Sequence, residues 1–229
     1  MSSTNPYRML LGLVVLLGVV GSASAQTDYR SKSTGMLTVG AGFAGGASLA
    51  IEPPQGFKNK PLFAWRLTAD ATYPLNPTVA AMISLGLDSR GWRTHVHNNE
   101  DAFTDTRISY FTIFPAFRFS AFTLGVNFGF PMSATQTAPD ISGNEITEDF
   151  SETRMSPFNG PLNTMIEPRI GVVIPVVDED IGWLGLTLGG GIALDKAFDA
   201  NIDSDAKFQM VSGHLGFTWQ FGLKGTGRR

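Results

Sequence analysis

Side chains able to do chemistry are few in this sequence, and most of them stand at a spacing of two. Arg66 and Asp70, Asp88 and Arg90, Arg118, and Glu167 and Arg169 each lie where every second residue is apolar, with Asp195 near the end of such a stretch. At that period the charged side chain points away from the apolar face. The three histidines are His95, His97 and His214. His95 and His97 share a strand face beside Asn98, Glu100 and Asp101, but two imidazoles without a third ligand make a weak metal site. Ser212 and His214 also share a face, without a catalytic His-x-Ser pair and deep inside an alternating stretch where a substrate has no access. The pattern therefore assigns no catalytic residue, no metal and no cofactor. It assigns instead a set of interior charges, which must neutralise one another once removed from water.

The elements that must position these charges are β-strands. Ile108–Met132 places Phe111, Ile113, Pro115, Phe117 and Phe119, then Phe122, Leu124, Val126, Phe128, Phe130 and Met132, on one face. Tyr110, Thr112, Phe114, Ala116 and Arg118, then Thr123, Gly125, Asn127 and Gly129, take the other, and only Ser120-Ala121 separates the halves. This is a β-hairpin signature. A soluble sandwich strand would be shorter and would carry Lys, Glu and Thr outward rather than glycine. The same alternation predicts a strand from Gly35, then Leu62–Leu75, one from Thr78, the two of the hairpin, Leu162–Val177, Trp183–Leu194 and Phe208–Leu223. That makes eight, spanning residues 35–223, after a lead at 26–34 and before a tail at 224–229.

Connections alternate in length. Short links are expected at Asn76-Pro77, Ser120-Ala121 and Asp178–Gly182, and long polar loops at 53–61, around His97–Thr104, at Ser133–Pro161 and at Phe198–Lys207. Such sorting is the habit of an even-stranded transmembrane barrel, with short periplasmic turns and long extracellular loops. The expected fold is an all-β, eight-stranded, antiparallel up-and-down transmembrane β-barrel. Outward aromatics near the short turns, namely Tyr73, Phe117, Phe119, Phe122, Trp219 and Phe221, are expected to form an interfacial girdle. Inside, Arg66, Asp70, Asp88, Arg90, Arg118, Glu167 and Arg169 are expected to form a lumen charge network, with Arg118 paired to a carboxylate such as Glu167 or Asp88. An eight-stranded lumen is just wide enough for side chains, so a packed plug is favoured over a narrow or gated pore. On this reading Val126 faces lipid, and Asn127→Ser is nearly silent.

Composition and the N-terminus agree. Glycine at 26 and phenylalanine at 17 residues beside 16% charged residues is unusual for a soluble globule and natural for a barrel wall. A net charge of -3 offers no electrostatic footprint for nucleic acid. With no cysteine, neither a disulfide framework nor a lipoprotein anchor is available. Met1–Arg8, the apolar run Met9–Val20 and Gly21-Ser22-Ala23-Ser24-Ala25 have the layout of a cleavable signal peptide, residues 1–25.

The signal ending Ala23-Ser24-Ala25, the run Tyr110–Pro115, the strand Ile166-Glu167-Pro168-Arg169-Ile170-Gly171 and the aromatic closing strand Gly213–Phe221 resemble the small outer-membrane β-barrel proteins of Gram-negative bacteria. The resemblance covers the mature chain, with one departure: such barrels often end on an aromatic, whereas Gly222–Arg229 follows Phe221 here. It implies residence in the outer membrane with both termini periplasmic, insertion by the barrel-assembly machinery, and outer-membrane lipids and lipopolysaccharide as surroundings. It implies neither nucleic acid nor cofactor. A monomer with a structural or surface-interaction role through its extracellular loops is the expected function. The alternatives are a narrow or gated pore for small or apolar solutes and, third, a barrel-embedded lipid-modifying enzyme.

Overall fold

Alternation becomes pairing in a computed structural model of the chain, which describes residues 37–222 except 52, 54–55, 77, 98, 141, 151–161, 180–181 and 198–208. The segments 1–25, 26–34 and 224–229 lie outside the described residues. The strands are β1 (Thr38–Ile51), β2 (Phe57–Pro74), β3 (Val79–Val96), β4 (Asn99–Phe119), β5 (Phe122–Pro139), β6 (Glu145–Phe150), β7 (Met165–Glu179), β8 (Gly182–Lys196) and β9 (Gln209–Gly222). They pair in the order β4-β3-β2-β1-β9-β8-β7-β5-β6, and β4 also pairs with β5. That last pairing closes the sheet, so eight strands make an antiparallel up-and-down barrel and β6 stands outside the ring.

Its two faces differ as the alternation requires. Leu67, Ile83, Leu85, Leu124, Val126, Leu215 and Phe217 are exposed on the outer wall, while Tyr110, Thr112, Phe114, Ala116 and Arg118 are buried inside it. Exposed apolar side chains around a closed ring are what a lipid-facing wall consists of. Along β2, Phe63 and Tyr73 are both outward and ten residues apart. At ~3.3 Å per residue and a tilt of about 40° this separation is about 25 Å along the barrel axis, the height of an outer-membrane apolar band.

The strands run on where the sequence predicts loops. β4 has 21 residues, about twice the 9–11 that cross a bilayer. The stretch 57–61, expected as loop, is the start of β2 and pairs with Trp92–Val96. Of the expected loop at His97–Thr104, Asn99–Thr104 is the start of β4, with His95 opposite Phe103. Ser133–Pro139 continues β5, and β6 folds back on it from Ala134↔Phe150 to Pro139↔Glu145. The residues responsible are polar but β-favouring: Thr94, Thr104, Thr106, Thr135 and Thr137 all sit in ladders. Threonine satisfies a pleated, half-buried surface as well as valine does, so the hydrophobic period fades while the strand continues.

The β5–β6 tip is built on one carboxylate. Asp140 accepts hydrogen bonds from the backbone N–H of Ser142 (2.7 Å) and of Asn144 (2.8 Å). The Asn144 amide, first among these donors, holds the carboxyl below its ordinary value. A depressed folded-state value means the stabilisation is complete above the ordinary aspartate range and disappears as pH falls through the folded-state value. Amide exchange at Ser142 and Asn144 is therefore expected to be slow near pH 6 and to lose protection on acidification well before the barrel strands do; Asp140→Asn should remove that pH dependence. On the wall, Val126 lies midway along β5 between Phe122 and Phe130 and is exposed. Val126→Arg is expected to cost about 2–4 kcal/mol of stability in lipid, measured by denaturant unfolding from vesicles.

Candidate functional site in the barrel lumen

Four of the inward charges form one closed layer. Asp88 and Arg90 are two residues apart on β3, and Glu167 and Arg169 two apart on β7. Three steps of antiparallel pairing separate β3 from β7 around the ring, so they face each other across the lumen running in opposite directions. Two acid-x-Arg pairs so disposed bring Arg90 to Glu167 and Arg169 to Asp88. Arg90 donates Nη1 to Glu167 Oε1 and Nη2 to Glu167 Oε2, both at 2.8 Å. Its Nη2 also lies 2.8 Å from Asp88 Oδ2. Arg169 donates Nη2 to Asp88 Oδ2 (2.5 Å) and Nε to Glu167. Each guanidinium thus bridges both carboxylates. Ser212 Oγ donates to Glu167 Oε1 at 3.0 Å, and Asn127 Nδ2 to Glu167 Oε2 at 3.4 Å. Glu167 is 0% exposed and Arg90 1%.

The wall makes room for this layer. A Cβ on Gly191 would lie 2.7 Å from the Glu167 carboxyl group, and one on Gly189 3.0 Å from His214 Nε2. Beyond the layer, on the side of the long strand extensions, Trp92, Ile108, Tyr110, Met165 and Met210 fill the lumen with Ala50, Ala134, Ala193 and Ala197. Tyr110 is legible as inward from the hairpin alternation; Trp92, Met165 and Met210 have inward parity near strand ends that read as polar, which is why the sequence does not announce them. On the side of the short turns lies a cavity of about 70 Å³, lined in part by Arg66, Asp70, Ser84, Arg118, Thr123, His214, Thr218 and Gln220.

The remaining predicted residues are placed apart from the layer. Arg66 is opposite Asp88 in register and half-buried, and among the described residues its guanidinium makes no hydrogen bond or ion pair. Asp70 accepts from Thr68 Oγ1 at 3.3 Å. Arg118 departs from expectation: it donates to the Ser120 carbonyl (3.1 Å) and lies over the Trp183 ring (4.6 Å). It sits eight residues along β4 from Tyr110, the residue opposite Asp88, or about 26 Å of strand. Its neighbour Thr123 is likewise four residues from Asn127, the residue opposite Glu167, so neither carboxylate is within reach. Of the girdle, Tyr73, Phe117, Phe119, Trp219 and Phe221 are exposed at the short-turn end and Phe122 is half-buried there. Phe117 and Phe119 are 6.4 Å apart, and Trp219 stacks on Phe221 at 5.0 Å.

The histidines are scattered. His95 is buried, with Nδ1 unpartnered among the described residues, while His97 is exposed, and no metal-binding cluster occurs among the described residues. Asp195 is exposed at the end of β8. Ser212 gives its hydroxyl proton to Glu167 rather than to His214, so the arrangement offers no activated nucleophile.

Removing one member of a buried charge layer strands the others and typically costs about 3–5 kcal/mol. Glu167→Gln is expected to lose about 3 kcal/mol on that ground, and Arg90→Met in the same background to lose much less, a coupling that a double-mutant cycle in lipid vesicles would read directly. Gly191→Ala should cost about 1–3 kcal/mol through its clash with the same carboxyl. Asn127 is fully buried against Glu167, so Asn127→Ser should cost about 1 kcal/mol rather than being silent.

No family model matches the chain, and no curated protein matches it. Similar solved structures include Ail, the attachment invasion locus protein of Yersinia pestis, at 13% identity over 82% of this chain and 100% of that one, with a TM-score of 0.40. The outer membrane protein OprG of Pseudomonas aeruginosa is similar at 11% identity over 83% of this chain and 97% of that one, TM-score 0.40. The outer membrane protein AlkL, determined in DMPC lipid bilayers, is similar at 13% identity over 89% and 99%, TM-score 0.38. The barrel assignment rests on the chain's own strand pairing, which closes independently of these likenesses.

Proposed function

We propose that the chain is a monomeric outer-membrane β-barrel with a structural and surface-interaction role, carried by the strand extensions on the long-connection side. The observation that supports this reading is a lumen largely filled by side chains beneath a protruding sheet. The Asp88, Arg90, Glu167 and Arg169 layer and the Trp92, Ile108 and Met210 cluster occupy successive levels of the interior, leaving the outer end of β2–β6 as the feature in excess of what a membrane anchor needs. That sheet is stiffened from within. Arg93 forks onto Asp105 at 2.5 and 2.7 Å and stacks on Phe103 at 3.9 Å, and Thr137 and Thr147 hydroxyls meet at 2.8 Å across β5 and β6. Exposed Phe57, Val96 and Ile146 give it apolar contact points.

In this reading residues 1–25 are the secretory signal, both termini are periplasmic, the extensions are extracellular, and the barrel-assembly machinery inserts the chain among phospholipid and lipopolysaccharide. The gated-pore alternative has one observation in its favour, the cavity that reaches the charge layer from the short-turn side. Two measurements separate the readings. The wild-type barrel is expected to carry no steady current in planar bilayers, and replacing residues 135–149 by an Asn-Gly turn should leave the heat-modifiable barrel intact while reducing attachment of expressing cells to glycan-coated or cell surfaces several-fold. A stable wild-type conductance would favour the pore, and attachment unchanged by the trimmed hairpin would remove the surface-interaction reading.

A further inference from the structure

Closure of the ring at β4 and β5 leaves one strand with an open side. β6 pairs with β5 from Ala134↔Phe150 to Pro139↔Glu145, and among the described residues it pairs with no other strand. Alternate residues of an antiparallel strand turn their N–H and C=O toward one neighbour and the rest turn them away, so half of the backbone groups of Glu145–Phe150 face away from β5. Such an edge is a template for a further strand. Edges are commonly blunted by proline or a bulge; β6 contains no proline, and its ladder with β5 runs without a register shift.

The side chains of β6 decide what the edge accepts. Register puts Glu145, Thr147 and Asp149 on the face of Pro139, Thr137 and Thr135, and Ile146 and Glu148 on the face of Ala138 and Gln136. Residues 145–149 are all exposed. With Asp140 at the turn, residues 133–150 carry four carboxylates and neither Lys nor Arg. Arg93, the cation that acts on Glu145 from β3, is held by Asp105, and Glu148 and Asp149 have no ion pair among the described residues. A second copy offering the same edge would set these carboxylates against its own, and like charges directly opposite destabilise a strand pair. Carboxylates on both faces of the edge select instead a strand that brings cations.

We propose that β6 takes up an extended polypeptide segment rich in Lys or Arg as a further strand of the protruding sheet. Main-chain hydrogen bonds to the open edge supply affinity, and alternate side chains supply selection. On one face the segment places cations opposite Glu145 and Asp149; on the reverse face it places a cation at Glu148 beside an apolar residue at Ile146. The inference rests on the surface-interaction reading for the position of the hairpin outside the cell, and it names the partner's chemistry. A glycan has no ladder of backbone groups with which to complete this edge.

The test uses the full mature chain folded in phosphatidylcholine nanodiscs. Amide exchange along β6 is followed by NMR while a peptide of about eight alternating Thr and Lys residues is added. The expected result is saturable protection, by about fivefold or more, of the alternate β6 amides that do not donate to β5, with the Ser142 and Asn144 amides reporting an intact hairpin throughout. Affinity should fall about threefold or more in Glu148→Gln combined with Asp149→Asn, and a peptide of alternating Thr and Glu should not bind. A charge-matched peptide with two consecutive prolines at its centre should lose most of the binding, because proline removes ladder donors. Equal binding of the proline peptide would show charge attraction without strand addition and overturn the proposal. Absence of saturable protection by the Thr and Lys peptide, or undiminished affinity in the double variant, would do the same. So would protection of those amides before any peptide is added, which would show the edge already occupied by another part of the chain or by a second copy. Peptide binding reads the edge alone, whereas trimming residues 135–149 reads cell attachment. Attachment lost on trimming with no peptide bound removes only this inference; peptide bound with attachment unchanged removes only the surface role.

Discussion

Hydrocarbon offers a backbone N–H or C=O no partner but another part of the protein, and the whole architecture follows from meeting that demand with strands. A sheet can satisfy every group only by joining its edges, which β4 and β5 do. Closure at eight strands sets the bore, the bore admits side chains but no wide channel, and inward charges must find each other there. The same demand explains the local repairs. Of the five register shifts among the described strands, three lie at Pro61, Pro131 and Pro175, where a ladder donor is missing. Beside the first of them the Ser48 hydroxyl reaches past β2 to Gly91, accepting from its N–H at 2.7 Å and donating to its carbonyl at 2.8 Å. A side chain of β1 thereby replaces the backbone contact that the irregular part of β2 does not make.

The charge layer is better understood as a register device than as a source of net stability. Buried ion pairs gain little over apolar residues of similar size. Yet sliding β3 or β7 by one residue would turn Asp88 and Arg90, or Glu167 and Arg169, into lipid. The penalty for the wrong register is thus much larger than the gain in the right one. Opposed acid-x-Arg pairs on antiparallel strands also fix which end of β3 meets which end of β7, information that an outward face of interchangeable Leu, Ile and Phe does not carry.

This separates what the sequence shows from what it conceals. The period-two pattern marks the wall because lipid-facing positions accept only apolar or small residues. Asp88, Arg90, Glu167 and Arg169 are readable as inward by parity alone. Their partnerships are not, because pairing depends on which strands face each other across the ring and at what height; for that reason Arg118, inward by the same rule, lies a strand's length from Asp88. The outer extensions are hidden for another cause. Once the chain leaves lipid, both faces may be polar, and threonine-rich strands such as Thr104–Thr106 and Ser133–Thr137 lose the contrast that marks a strand. The Trp92, Ile108 and Met210 cluster is missed with them, since one face turns apolar only inside the bore.

The lumen is therefore divided into three levels with different fillings. Above the charge layer the filling is largely apolar; at the layer each guanidinium bridges both carboxylates; below it lies a cavity of about 70 Å³ with polar and apolar lining. On β1, Gly42 is fixed by close packing, since a Cβ there would lie 2.8 Å from Thr68 Oγ1. The two ends of the molecule thus have separate chemistry, a polar sheet at one and a small cavity of mixed lining at the other. The charge layer stands between them, each of its guanidinium groups bridging both carboxylates across the bore.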